Sequence, residues 1–167
     1  MWAKMNEIVD GIWLGDLSAA CSKEELKNKG IKKILSVLKQ LGPNYKIEDG
    51  FIQKRIEIND FETENIIQYF GECLNFIEGN DKILVHCMAG ASRSATIVIA
   101  YLMWKKKMDL DEALYFVQNK RFIVYPNEGF REQLRLFEKE LEKNEYDINK
   151  IKFKEINWKP NFEELNF

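Results

Sequence analysis

The sole histidine of the chain, His86, stands directly before Cys87, and Arg93 follows six residues after that cysteine in the segment HCMAGASRS. A cysteine thiolate is a nucleophile, and a guanidinium presents a fork of donors that matches two oxygens of a phosphate. Gly90, between them, allows successive backbone N–H groups to turn toward one point and bind an anion. These residue types predict phosphoryl transfer, in which Cys87 attacks a phosphate held by Arg93 and forms a phosphocysteine.

These residues lie between a predicted strand and a predicted helix. The apolar run KILVH, which ends at His86, is typical of a strand buried in a mostly parallel sheet. A helix is predicted from about Ser94 to Lys106, so that residues 87–93 form the connecting loop. Ligands of α/β sheets bind at the carboxyl ends of strands, where a helix N-terminus offers free N–H groups and a positive dipole end. The same setting favours the thiolate form of Cys87.

Strand and helix patterns alternate along the rest of the chain. Further strands are predicted at residues 11–15, 31–38 and 51–58. Helices are predicted from Ser22 to Gly30, over 63–78, after Asp109 with Glu112 in a capping box, and after Pro126. This alternation predicts an α/β domain with a helix-rich C-terminal half.

The helical pattern ends near residue 143. We therefore assign residues 1–143 to the catalytic domain and residues 144–167 to a C-terminal tail that contains Trp158, Phe162 and Phe167. The tail is predicted to be either a packed strap over the domain or an interaction segment. Packing on the domain is the simpler of the two interpretations.

Composition argues against several classes of protein. The net charge of −2 gives no reason to expect nucleic-acid binding. No apolar run has the ~20 residues needed to span a bilayer, so we expect no membrane association. Three widely spaced cysteines argue against a disulfide framework, and a single histidine without a C-x2-C pair argues against a zinc site. A cytoplasmic protein is expected, with the nucleus as the alternative.

The segment HCMAGASRS matches the pattern H-C-x-x-G-x-S-R-S and resembles the phosphate-binding loop of the cysteine-based protein tyrosine phosphatases. The segments IVDGIWLGDLSAA, GIKKILSVL and PNEGFREQL extend the resemblance over about residues 5–140, and it points to the small atypical dual-specificity branch. The resemblance implies a central, mostly parallel, twisted sheet of about five strands flanked by helices. It also implies hydrolysis of phosphotyrosine and phosphoserine or phosphothreonine in protein substrates, without a metal or a cofactor. We expect a monomer, although the motifs do not determine the oligomeric state.

The resemblance further implies a role for each residue of the loop. Cys87 is the nucleophile and Arg93 the phosphate clamp. The hydroxyl of Ser94 bonds the sulfur and assists breakdown of the phosphocysteine, whereas His86 supports the loop and does not act as a base. The cradle for the phosphate consists of the backbone N–H groups of Met88, Ala89, Gly90, Ala91, Ser92 and Arg93.

The leaving oxygen needs a proton, and without a second histidine the acid must be a carboxylic acid. The segment RIEINDFETENI offers Glu57, Asp60, Glu62 and Glu64. Spacing alone leaves Asp60 balanced between a general acid and a solvated residue or cap partner of the following helix. The resemblance favours Asp60, with Glu62 as the second choice. Asn127 resembles a family position that orders the acid loop, and capping of the last helix is an equal alternative.

Two other functions remain alternatives: a phosphoprotein-binding module on the same fold, and a phosphatase for a non-protein phosphate ester. Binding relatives usually lack the cysteine or the arginine, and this chain has both. Phosphoinositide-directed relatives carry lysines in the loop, whereas positions 88, 89 and 91 here add no positive charge. We therefore favour the protein phosphatase.

Overall fold

One five-stranded sheet forms the centre of the computed structural model, which describes residues 3–161. The strands are β1 (Met5–Val9), β2 (Ile12–Gly15), β3 (Ile31–Val37), β4 (Ile52–Ile56) and β5 (Lys82–His86). Their spatial order is β1-β2-β5-β3-β4, and every neighbouring pair is parallel except β1 with β2. The predicted α/β class with a mostly parallel sheet is confirmed. Strand β1 was not predicted, because a register shift between Glu7 and Val9 breaks the alternation that marks a strand.

Helices cover both faces of the sheet. They are α1 (Leu17–Cys21), α2 (Lys23–Asn28), α3 (Phe70–Ile77), α4 (Arg93–Lys105), α5 (Leu110–Lys120) and α6 (Glu128–Lys143). Side chains of successive strand residues point to opposite faces, so Ile34 and Leu84 pack with α1 and α2, while Leu35 and Val85 pack with the larger cluster of α3–α6. Within residues 3–161, no helix is long and apolar enough to cross a membrane.

Strand β5 lies in the middle of the sheet, with β2 on one side and β3 on the other. Its last four residues are buried. A strand that is covered on both faces has a continuous run of apolar residues. This explains why KILVH could be predicted as a buried strand from the sequence. The carboxyl end of β5 therefore opens at the centre of one edge of the domain.

The helix predicted over residues 63–78 begins later than expected. A 3₁₀ turn occupies Ile67–Tyr69, and α3 begins only at Phe70. The side chain of Gln133 replaces the helical hydrogen bonds of the preceding segment: its Oε1 accepts from the Ile67 N–H at 3.0 Å and its Nε2 donates to the Glu64 carbonyl at 2.9 Å. Residues 57–66 thus form a loop, called the acid loop below, and it is docked on α6.

Capping residues in the sequence predicted where α2 and α5 begin. The capping box of α5 is confirmed, since the Glu112 N–H donates to Asp109 and the Asp109 N–H donates to Glu112. Ser22 is the N-cap residue of α2, as predicted, but its side chain does not cap the helix, because its hydroxyl donates back to the Ser18 carbonyl at 2.8 Å.

Residues 144–156, called the strap, pack onto the domain. Ile148, Ile151 and Phe153 are buried in the larger core cluster. The ring of Phe153 lies so close to Gly71 that a Cβ atom there would be 2.8 Å from the ring Cδ2. Residues 162–167 of the predicted tail, with Phe162 and Phe167, lie outside the described residues. The division of the chain at residue 143 stays a prediction.

We predict that Phe153→Ala destabilises the whole domain. Removing a buried phenylalanine ring costs about 3–5 kcal/mol, and this ring also contacts Phe137 of α6 at a centroid distance of 5.9 Å. Urea unfolding should show a lower midpoint for Phe153→Ala and an almost unchanged midpoint for Lys152→Ala, whose side chain is 78% exposed. Equal midpoints for Phe153→Ala and wild type would mean that the strap adds nothing to the fold.

Candidate active site

The segment HCMAGASRS connects the end of β5 to the start of α4, as its sequence indicated. Helix α4 begins at Arg93, one residue earlier than predicted. Ser92 occupies the N-cap position without a side-chain cap, and its hydroxyl instead accepts from the Asn127 N–H at 3.0 Å. Ser92 therefore leaves the first backbone N–H groups of α4 available on the side of the helix that faces the loop.

The carbonyl groups of all residues from Cys87 to Ser92 accept hydrogen bonds from surrounding elements. Their donors, in chain order, are His86 Nδ1, the Leu17 N–H, Arg121 Nη2, Arg121 Nε, the Tyr125 N–H and the Thr96 N–H. A trans peptide plane points its C=O and its N–H in opposite directions, and no peptide bond among the described residues is cis. The N–H groups of residues 88–93 consequently turn to the other side of the loop and form an anion-binding nest.

The buried guanidinium of Arg121 holds the loop from behind. It is 2% exposed and donates to the carbonyls of Ala89 at 3.1 Å and Gly90 at 3.0 Å. Its Nη1 also donates to the Ala3 carbonyl and to Asn6 Oδ1, which ties the loop to the start of the chain and to β1. Arg121 was not singled out from the sequence, since one arginine at a helix end carries no local signal.

Gly90 is required by the close approach of the loop to β2. Its φ is +67°, a left-handed conformation that glycine adopts without strain. A Cβ atom at this position would lie 2.5 Å from the Gly15 carbonyl oxygen and 3.0 Å from Arg121 Nη2. The glycine thus allows the loop to curl against the carboxyl end of the neighbouring strand.

The sulfur of Cys87 lies on the nest side of the loop. Cys87 is 2% exposed, and its Sγ accepts hydrogen bonds from the Gly90 N–H at 3.3 Å and the Ser94 hydroxyl at 3.1 Å. Both donors stabilise negative charge on sulfur more than they stabilise a neutral thiol. The site can therefore hold a nucleophilic thiolate in contact with the anion-binding groups.

His86 lies on the opposite side of the strand end and is fully buried. Its Nδ1 is 3.1 Å from the Cys87 carbonyl, which can only accept, so Nδ1 carries the proton. Its Nε2 then accepts from the Ser36 hydroxyl at 2.6 Å, and Ser36 accepts from Gln53 at 3.0 Å. Burial lowers the pKa of His86 to about 4, so the imidazole is neutral at physiological pH.

The side chain of Arg93 is 5% exposed and has one end fixed. Its Nη1 donates to Gln40 Oε1 at 2.8 Å and to the Ile58 carbonyl at 3.0 Å. Its Nε is buried and has no hydrogen-bond partner within residues 3–161. This guanidinium is held rigidly while keeping an unpaired donor, which suits a residue that binds an anion.

The acid loop is joined through Asn127 to residues 87–93, called the phosphate loop below. Asn127 Nδ2 donates to Asp60 Oδ1 at 2.9 Å, and the Asn127 N–H donates to the Ser92 hydroxyl. Asn127 Oδ1 also accepts from the Phe130 N–H and caps α6, so the two alternatives considered for Asn127 coexist. Asp60 is exposed and does not cap the next helix, which begins at Phe70.

Glu62, the second choice for the acid, belongs to the part of the loop that packs on α6. Its carbonyl oxygen is 1.9 Å from the position that a Cβ atom of Gly129 would occupy. Only a glycine at this point of α6 permits such close packing of backbone on backbone.

Four polar side chains that support the site were missed in the sequence: Ser36, Gln40, Gln53 and Arg121. Each acts through hydrogen bonds to residues distant in sequence, so no motif marks it. In the described part of the chain, no group of three His, Cys, Asp or Glu side chains could hold a metal ion.

Comparison with known proteins agrees with this geometry. Residues 12–140 match the family model described as dual specificity phosphatase, catalytic domain. Dual specificity protein phosphatase 1B of Arabidopsis thaliana is 40% identical over 144 residues, which cover 84% of this chain and 85% of that protein. Dual specificity protein phosphatase 1 of the same plant is 41% identical over 139 residues, covering 81% of this chain and 69% of that protein.

Solved structures share the fold. The crystal structure of human tyrosine phosphatase-like serine/threonine/tyrosine-interacting protein superposes with a TM-score of 0.76 at 36% identity, covering 81% of this chain and 95% of that one. The resemblance predicted from the phosphate loop is confirmed. The chain belongs to the dual specificity phosphatase family, whose members are cysteine-based protein phosphatases.

Proposed function

We propose that this dual specificity phosphatase hydrolyses phosphotyrosine and phosphoserine or phosphothreonine in proteins through a phosphocysteine on Cys87. The Cys87 thiolate attacks phosphorus, the S–P bond forms and the ester P–O bond breaks. Water then attacks the phosphocysteine, which releases inorganic phosphate and regenerates the thiolate. The observation that carries the proposal is the outward rotation of all carbonyls from Cys87 to Ser92, which turns the N–H groups of residues 88–93 to the side of the loop on which the sulfur lies.

In this proposal the nest and Arg93 stabilise the transferring phosphoryl group. Charge on its equatorial oxygens is met by the N–H groups of residues 88–93 and by the Arg93 guanidinium. Support comes from the rigid attachment of Arg93 to Gln40 and Ile58, since donors that are already oriented need no reorganisation during the reaction.

Ser94 and His86 act on the nucleophile from two sides. The Ser94 hydroxyl stabilises the thiolate before attack and as it departs from the phosphocysteine, a role supported by its 3.1 Å contact with Sγ. His86 positions the Cys87 peptide group through its Nδ1–H. A neutral, fully buried imidazole is suited to this structural task, and it has no free nitrogen for proton transfer.

Asp60 is the proposed general acid, which protonates the leaving oxygen and then accepts a proton from the attacking water. The bond from Asn127 supports this role, because it fixes the Asp60 carboxyl group to the same residue that contacts the phosphate loop. Asn127 is thus a proposed positioning residue.

The cellular setting is proposed from the sequence. We propose a monomer in the cytoplasm, with the nucleus as the alternative, that acts on phosphorylated proteins and has neither nucleic-acid nor membrane partners. A net charge of −2 supports the first of these exclusions.

We predict that Cys87→Ser abolishes phosphate release, because a serine hydroxyl in this site is not ionised at neutral pH. The measurement uses one peptide carrying phosphotyrosine, phosphothreonine, or both. Wild type should release phosphate from both residue types, and Cys87→Ser should still bind the peptides in calorimetry. Cys21→Ser, at an exposed cysteine, should keep wild-type rates. Binding without release by the wild-type protein would favour the binding module, and release only from a non-protein ester would favour the second alternative.

We predict that Asp60→Asn slows turnover by about 10²–10⁴-fold on substrates with a poor leaving group. An activated aryl phosphate needs little protonation, so its rate should fall much less. Asn127→Ala should lower the turnover rates on the two substrates in the same pattern as Asp60→Asn, but by a smaller factor. Glu62→Gln is the matched control and should keep the wild-type rates on both substrates; a selective slowing of the poor-leaving-group substrate in Glu62→Gln, and not in Asp60→Asn, would assign the acid to Glu62.

We predict that the His86 imidazole stays neutral down to about pH 4 in the folded protein. An unfolded chain binds this proton near pH ~6.5, so the free energy of unfolding should be unaffected above that pH and fall by up to about 3 kcal/mol as the pH drops to 4. NMR titration reports on this group directly, because the chain has one histidine. In His86→Gln the free energy of unfolding should fall less as the pH drops to 4. Titration of the imidazole near pH ~6.5 in the folded protein would refute the buried neutral state.

A further inference from the structure

Exposed apolar side chains concentrate around the phosphate loop. Among the described residues, the large apolar side chains that are exposed are Leu41, Ile47, Ile52, Phe61, Met88, Tyr115, Phe122 and Tyr125. Five of these, Leu41, Phe61, Met88, Phe122 and Tyr125, stand in or beside segments that contact the phosphate loop, Arg93 or Asp60. Phe122 follows Arg121, which bonds the loop on its carbonyl side, so we set it apart and call the other four residues the apolar rim. Contiguous exposed apolar surface on a soluble domain usually marks an interaction site.

Met88 and Tyr125 border the loop itself. Met88 is 40% exposed, and its carbonyl is held by the Leu17 N–H at 3.1 Å. Tyr125 is 62% exposed, and its N–H donates to the Ala91 carbonyl at 2.8 Å. The two side chains therefore belong to segments attached at different points along the loop.

Leu41 and Phe61 border the catalytic side chains. Leu41 is 92% exposed and follows Gln40, whose Oε1 accepts from Arg93. Phe61 is 61% exposed and directly follows Asp60. Both residues thus adjoin groups proposed to bind or protonate the substrate, and the hydrogen bond from Asn127 to Asp60 links the segments that carry Tyr125 and Phe61.

The ring of Tyr125 is oriented although it is exposed. The Arg131 guanidinium carbon lies 4.7 Å from its centroid, and Arg131 Nη2 donates to the Tyr125 hydroxyl at 3.1 Å. Arg131 is itself paired with Glu128. An aromatic surface that is already ordered loses less entropy when a partner binds, which makes it an effective anchor.

Charge on the same side of the site disfavours acidic partners. Phe61 lies in a loop with Glu62 and Glu64, and Arg131, which lies against the Tyr125 ring, is already paired with Glu128. An acidic residue of a substrate at this position would meet like charge, whereas an apolar side chain would cover Phe61 and Tyr125.

From this arrangement we propose that the apolar rim is a substrate-docking surface, selective for phosphopeptides with apolar side chains next to the phosphorylated residue. Phe61 and Tyr125 are the specificity-determining residues. The inference rests on the proposed protein phosphatase function and adds a substrate class to it.

The test compares three phosphotyrosine peptides that differ only in the residues flanking the phosphotyrosine: leucine, alanine or aspartate. For wild type, kcat/KM should be about tenfold higher with leucine flanks than with alanine flanks, and lowest with aspartate. In Tyr125→Ser and in Phe61→Ser, the leucine-to-alanine ratio should fall to threefold or less. Ile47→Ser is the matched control: this residue is 98% exposed, precedes β4 at the other end of the sheet, and should leave the ratio unchanged.

Several results would overturn the docking surface. The first is equal kcat/KM for all three peptides, and the second is a wild-type ratio retained in both rim variants. The third is a dimer, detected by sedimentation, that both variants convert to monomer without changing the ratio, which would make the rim a contact between copies. Failure of the proposed function looks different: even the alanine-flanked peptide would not be hydrolysed, or Cys87→Ser would hydrolyse it as fast as wild type.

Discussion

The orientation of the peptide groups from Cys87 to Ser92 is the constraint on which the rest of the structure depends. Six successive carbonyls must find donors behind the loop before the N–H groups can face an anion together. Those donors come from His86, α1, Arg121, the segment at Tyr125 and α4. Each of these elements is therefore arranged around the loop, since a carbonyl left without a donor would be free to turn inward and replace attraction for phosphate with repulsion.

The same constraint explains how Asp60, the proposed general acid, is placed relative to the phosphate loop. The start of α6 contacts the phosphate loop through Asn127 and Ser92, and it contacts the acid loop through Asn127 and Asp60. Gly129 and Gln133 extend this contact along the first turns of α6, because Gly129 lets the Glu62 backbone approach closely and Gln133 Nε2 donates to the Glu64 carbonyl. One helix end thus relates two loops that are distant in sequence, residues 57–66 and 87–93, and the strap behind α3 and α6 keeps these elements packed.

Burial assigns different charges to the polar groups near the sulfur. His86 has no contact with solvent and stays neutral, so it shapes the loop without adding a cation. Arg121 remains behind the loop, where backbone carbonyls and Asn6 meet its donors. Arg93 keeps one donor unpaired on a rigid side chain. Positive charge is thereby concentrated at the proposed phosphate site, and the exposed side chains of the apolar rim stand in or beside the segments that form it.

The sequence by itself determined the elements whose signal is local. The buried strand at Lys82–His86, the loop motif between strand and helix, and the capping box of α5 could be recognised because neighbouring residues carry the whole pattern. Tertiary structure alone decided the edge strand β1, the late start of α3 and the supporting roles of Ser36, Gln40 and Arg121. In these cases a hydrogen bond or a close contact from a distant residue overrides or completes the local preference. Such contacts exist only after the chain has folded, so no spacing in the sequence records them.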